Sequence, residues 1–63
     1  MSARYVTLDL AEKLTGYTVK AMERKIETGA WREGYEWRKA PDNRRLIDLE
    51  GYAKWVEGLR RAA

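Results

Sequence analysis

The sequence contains no cysteine, no histidine and no phenylalanine, and only one proline. Without cysteine there is no disulfide, the staple on which small domains most often rely. Without cysteine or histidine the usual zinc sites are excluded, because their ligand sets draw on thiolates and imidazoles. The same absences remove Ser-His and Cys-His nucleophilic centres and any acid–base site built on imidazole. No apolar run approaches the length of about 18 residues that a membrane span needs. The opening Met-Ser-Ala-Arg-Tyr lacks the apolar stretch of a signal peptide, so no membrane association is expected. Carboxylate chemistry stays open in principle, but a chain of 63 residues has one small core and little room for a substrate pocket. A single domain over residues 1–63, fraying from about residue 60, with no cofactor, no metal and no enzymatic activity, is the expectation.

What is present favours a folded domain. Hydrophobic residues make up 44% and charged residues 37%, a balance unlike that of a disordered tail. Three Trp and four Tyr can supply much of a small core, since each buried aromatic hides roughly 150–250 Å². The formal net charge is only +3, but it is unevenly placed. Residues 1–19 and 46–63 each sum to zero, whereas residues 20–45 hold eight basic and five acidic side chains. Within that stretch Arg38, Lys39, Arg44 and Arg45 oppose only Asp42. A concentrated basic patch is the footprint of a nucleic-acid binder, and a solvated surface with no partner is the alternative.

Local signals divide the chain. Tyr5-Val6 reads as an extended lead-in, and Thr7 as the N-cap of a helix over Leu8–Thr15 that stops at Gly16. Leu8, Leu10, Ala11 and Leu14 form its apolar stripe. Thr18 caps a second helix running to Thr28 before Gly29, with Val19, Met22 and Ile26 in a narrow arc. Lys20, Ala21, Arg24 and Thr28 fall on its opposite side. Two helices separated by Gly16-Tyr17 make a helix-turn-helix, with Tyr17 plugging the corner.

Glu36–Lys39 and Arg44–Asp48 flank Ala40-Pro41-Asp42-Asn43, whose turn chemistry predicts a β-hairpin. Trp37 and Leu46 or Ile47 supply its inward side chains, and the arginines its rim. Asp48 caps a last helix in which Leu49, Tyr52, Trp55, Val56 and Leu59 follow the helical period. Gly51 and Gly58 each weaken that helix by roughly 1 kcal/mol relative to Ala. Arg60 and Arg61 read as tail cations complementing its dipole. The expected core is Leu10, Leu14, Met22, Ile26, Trp31, Trp37, Tyr52, Trp55, Val56 and Leu59. Trp31 has a second reading, as a surface ring that stacks on nucleic acid or a partner. The resulting α+β architecture is a small winged helix: helix-turn-helix, two-stranded hairpin wing, C-terminal helix.

The runs Tyr5-Val6-Thr7-Leu8-Asp9-Leu10-Ala11, Leu14-Thr15-Gly16-Tyr17-Thr18 and Ile26-Glu27-Thr28-Gly29 resemble the phage excisionase pattern, a MerR-like winged helix-turn-helix. The wing and the closing helix with Tyr52 and Trp55 also fit, so the resemblance spans nearly the whole chain. MerR-type regulators continue into a dimerisation helix and effector domain, whereas a stand-alone unit of this size is similar to excisionases, the recombination directionality factors. The resemblance implies a non-catalytic protein that binds and bends double-stranded DNA at an attachment-site arm and helps a phage integrase excise the prophage. It further implies the bacterial cytoplasm and nucleoid as location, and additional copies of the chain on the DNA.

The family places the second helix in the major groove and the wing at the adjacent minor groove. Carried onto this sequence, Thr18 meets phosphate at the helix N-terminus, and Lys20, Ala21, Arg24 and Thr28 face the groove. Arg24 is the candidate for a bidentate guanine contact, and Ala21 for contact with a thymine methyl. Lys25 flanks that face toward phosphate, and Arg38, Lys39, Arg44 and Arg45 track the minor groove or its phosphates. Glu23 and Glu27 depart from this basic scheme; they either pair with Lys20 and Arg24 or accept from cytosine. A small winged-helix transcriptional regulator needs the same contacts and is the neighbouring alternative. A basic protein-interaction module is a more distant one.

Overall fold

A computed structural model describes residues 4–58; Leu59, Arg60 and Arg61, and the expected fraying at the C-terminus, lie outside the described residues. The elements follow in the order β1 (Tyr5–Thr7), α1 (Leu8–Thr15), α2 (Val19–Thr28), β2 (Trp37–Lys39), β3 (Arg45–Asp48) and α3 (Leu49–Glu57). All three helix starts are side-chain capped, as the sequence predicts. Thr7 accepts from the Leu10 N–H at 3.2 Å and Thr18 from the Ala21 N–H at 3.0 Å. Asp48 accepts from the N–H groups of Glu50 at 3.0 Å and Gly51 at 3.2 Å. Each cap satisfies donors that the first turn of a helix leaves unpaired. Gly16 and Gly29 end α1 and α2 in the left-handed region.

The wing hairpin closes through a three-residue connection. The Ala40 carbonyl accepts from Asn43 N–H at 2.8 Å, and the Ala40 N–H donates to the Arg44 carbonyl at 2.8 Å. Asn43 sits at φ 71°, a left-handed position that asparagine tolerates better than most residues. The lead-in Tyr5–Thr7 is more than extended chain: it pairs antiparallel with β3, giving a three-stranded sheet in the order β1-β3-β2. Val6, Ile47 and Trp37 stand in one cross-strand row and are all buried. β3 is therefore central, and the wing is rooted on the N-terminal strand.

The core comprises Val6, Ala11, Met22, Ile26, Trp31, Trp37 and Ile47. Trp31 is 1% exposed, which settles its two readings in favour of packing. Tyr17, Tyr52 and Trp55 surround it edge-to-face, with ring centroids 5.3–6.1 Å from its own. Such geometry adds about 0.5–1.5 kcal/mol per pair beyond area burial. The Trp31 indole N–H is buried with no oxygen or nitrogen acceptor, so the π faces of these rings are its available acceptors.

Three expected core residues are exposed instead: Leu10, Leu14 and Val56. On α1 the inward position belongs to Ala11, which is fully buried. Its methyl allows a close approach to α2 and the sheet that a leucine would prevent, and this turns Leu10 and Leu14 aside. On α3 the cause is Gly51. A Cβ there would overlap the Tyr35 carbonyl, so backbone meets backbone at this point. Seating that face rotates Tyr52 and Trp55 inward and Val56 outward. Gly58 also differs from expectation: it lies beyond the helix as its left-handed C-cap, at φ 76°, rather than inside it.

Two carboxylates are buried, Glu36 and Asp48. Glu36 accepts from the Arg32 N–H at 2.9 Å and so ties the turn before β2. Asp48 ends β3, caps α3 and also anchors the segment before β1, because Arg4 donates to it from Nε and Nη2, each at 3.2 Å. Burial alone would raise the Asp48 carboxyl. The Arg4 hydrogen bonds, the Gly51 and Glu50 N–H groups and the Arg4 charge outweigh burial and hold it below the usual carboxylate range. A carboxyl depressed on folding contributes stability above its unfolded value of about 3.9, and this is lost as pH falls through the folded value. Asp48→Asn keeps a cap but loses the ion pair. We expect it to cost about 2 kcal/mol at pH 7, and its stability to vary less with pH below about 4. Denaturant titrations of both proteins from pH 7 to pH 2 measure this; parallel curves would assign the acid sensitivity elsewhere.

Candidate nucleic-acid interface

α2 and the wing flank one open groove of about 420 Å³. Thr7, Leu8 and Asp9 form its floor end at the β1–α1 junction, Val19 and Glu23 its α2 wall, and Asn43, Arg44 and Arg45 its wing wall. At 3.6 residues per turn, burial of Met22 and Ile26 turns Lys20 and Arg24 directly outward, and both are exposed. Glu23 and Glu27 lie on one flank of that pair. Ala21 and Lys25 lie on the other, both half-buried, and Thr28 is exposed in the last turn. The outward face is thus narrower than the sequence suggests, with Ala21 at its margin.

Lys25 has a partner of its own. Its Nζ lies 4.9 Å from the Tyr17 ring centroid and 5.6 Å from that of Trp55. A cation held over two rings joins α2 to the aromatic cluster. Thr18 accepts from its own helix, and its hydroxyl hydrogen remains available to donate.

The wing cations do not share one face. Lys39 pairs with Arg45 across the hairpin, on the same side as Trp37, and Arg45 stacks with its guanidinium 5.6 Å from the Trp37 centroid. Arg38, opposite Leu46, points to the other side and donates to the Gly34 carbonyl at 3.3 Å. Arg44 is exposed at the end of the turn, where its N–H donates to Asp42 at 3.0 Å.

Two local conflicts stand out. Lys39 and Arg45 are like charges directly opposed on neighbouring strands, and Lys20 and Arg24 are like charges one turn apart on a helix. Either arrangement costs a few tenths of a kcal/mol or more. The ion pairs formed among the described residues both belong to Arg4, with Asp48 at 3.2 Å and Glu50 at 3.7 Å. Neither Glu23 nor Glu27 neutralises Lys20 or Arg24. Lys20, Arg24, Arg38, Lys39, Arg44 and Arg45, all on α2 or the wing, thus carry no ion pair among the described residues. Sequence reasoning missed the groove floor at Thr7–Asp9, because it forms only when β1 pairs with β3.

A helix-turn-helix followed by a hairpin wing and a closing helix defines a small winged-helix protein. A family model described as "Putative excisionase (DUF1233)" matches residues 1–60. The chain belongs to this excisionase family, whose role is that of an accessory factor in phage excision and recombination. No curated protein and no solved structure gives a match. No helix among the described residues is long and apolar enough to cross a membrane.

Proposed function

We propose that the chain binds and bends double-stranded DNA at an attachment-site arm, without catalysing any step, and so assists an integrase in prophage excision. The observation that carries this is the set of cations without ion pairs on the outward face of α2 and on the wing, the two elements that flank one groove, in a member of the excisionase family. α2 enters the major groove, with Arg24 across a guanine edge, Lys20 beside it, and Ala21 and Thr28 at the margins. The Thr18 hydroxyl and the N-terminus of α2 meet phosphate. Lys39, Arg44 and Arg45 follow the neighbouring minor groove or its phosphates, with Arg38 reaching from the opposite side of the wing. Lys25 adds positive potential from the flank and stays over its rings. Further copies of the chain bind adjacent sites, in the cytoplasm of the bacterial host.

Footprinting on the cognate attachment DNA, with and without integrase, tests the reading. Protection of one arm that strengthens with integrase is the expected result. With about five cations on phosphate, the logarithm of affinity should fall with the logarithm of salt at a slope of about −4.5. Bound DNA should also change mobility with the position of the site in circularly permuted fragments. A flat salt response or unchanged mobility would overturn groove binding or bending respectively.

A further inference from the structure

We infer that Glu23 reads a cytosine from the α2 wall of the groove; this rests on the DNA-binding reading above. Glu23 is exposed, lines the groove opposite Arg44 and Arg45, and has no ion pair or side-chain hydrogen bond among the described residues. Of the carboxylates near the interface, it is the one set in the N-terminal half of α2, next to Arg24, where recognition helices reach base edges. Glu27 lies a turn further on and does not line the groove. Asp9 lies in the first turn of α1, where a negative charge complements the helix dipole.

A carboxylate between two basic elements weakens every phosphate contact around it. Its presence is useful only if it meets a hydrogen-bond donor on the DNA. An ionised carboxylate is an acceptor and nothing else. In the major groove guanine offers N7 and O6 acceptors, and thymine an O4 acceptor with a methyl. Adenine sets its N7 acceptor beside its N6 amino group. Cytosine alone presents an N4 donor with no acceptor of its own alongside. The chemistry of Glu23 therefore favours cytosine: guanine and thymine oppose it with acceptors, and adenine sets its N7 lone pair against the one donor it offers.

Selection of bound duplexes from a randomised pool, using the full chain, tests this. The wild-type protein should enrich cytosine at one position of its motif, by about 5- to 150-fold over other bases. Glu23→Gln should move that position toward adenine, because an amide both accepts from N6 and donates to N7. Glu27→Gln should leave the motif as it is. A Glu23→Gln protein that keeps the wild-type motif, and only binds every duplex more tightly, overturns the assignment of Glu23 while leaving DNA binding intact. A wild-type chain that enriches no motif and binds no duplex overturns the DNA-binding reading and this inference with it.

Discussion

Gly51→Ala is expected to destabilise the protein by at least about 3 kcal/mol, measured by denaturant unfolding. The added Cβ would overlap the Tyr35 carbonyl, and a backbone group cannot swing aside as a side chain can. Relief requires lifting α3 off the turn before β2, and with it the Asp48 cap, Tyr52 and Trp55. Stabilities of roughly 0.05–0.15 kcal/mol per residue give a chain of this size about 3–9 kcal/mol in all, so the loss would be a third of it or more. Helix propensity alone gives the opposite sign, since Ala is favoured over Gly by about 1 kcal/mol in a helix interior. A stabilised Gly51→Ala protein would mean that α3 is not seated as described.

The second large effect concerns the wing. Replacing Arg44 and Arg45 together with Gln should lower affinity for the attachment DNA about a hundredfold at 0.1 M salt, because each phosphate contact contributes about a factor of ten there. The salt slope should fall from about −4.5 to about −2.7. Folding should be nearly unaffected. Arg44 is exposed, and removing the Arg45 charge relieves its opposition to Lys39 while losing its stacking on Trp37. An unchanged slope would remove the wing from the interface.

Features with local causes were legible in the sequence. Thr7, Thr18 and Asp48 cap their helices, and Gly16 and Gly29 end two of them, because capping is settled within a few residues. The hairpin followed from Pro41-Asp42-Asn43 for the same reason. Features with distant causes were not legible. Tyr5–Thr7 is too short to show a strand period, and its partner lies at the far end of the chain. The orientation of α1 was decided by a small residue, Ala11, against Leu10 and Leu14, which narrows the inward face that apolar periodicity suggests. For α3, a contact with Tyr35 fixed which side faces inward, and Gly51 looked like a weakness until that contact was seen.

The candidate site divides similarly. Charge and helical spacing were enough to single out Lys20 and Arg24. The position of Lys25 over Tyr17 and Trp55, and the opposite orientations of Arg38 and Lys39, required the tertiary structure.

The sheet order has one more consequence. With β3 in the middle, β1 and β2 are both edges, each three residues long. An open edge offers unpaired N–H and C=O groups to any passing strand, and short, charged or proline-bounded edges resist that pairing. β2 is all three: it carries Arg38 and Lys39 and is followed by Ala40-Pro41. The same cations that we propose to face DNA thus guard the molecule against edge-to-edge aggregation. Stripping them would weaken DNA binding and solubility together, so the wing's electrostatics are better probed at Arg44 and Arg45 than along β2.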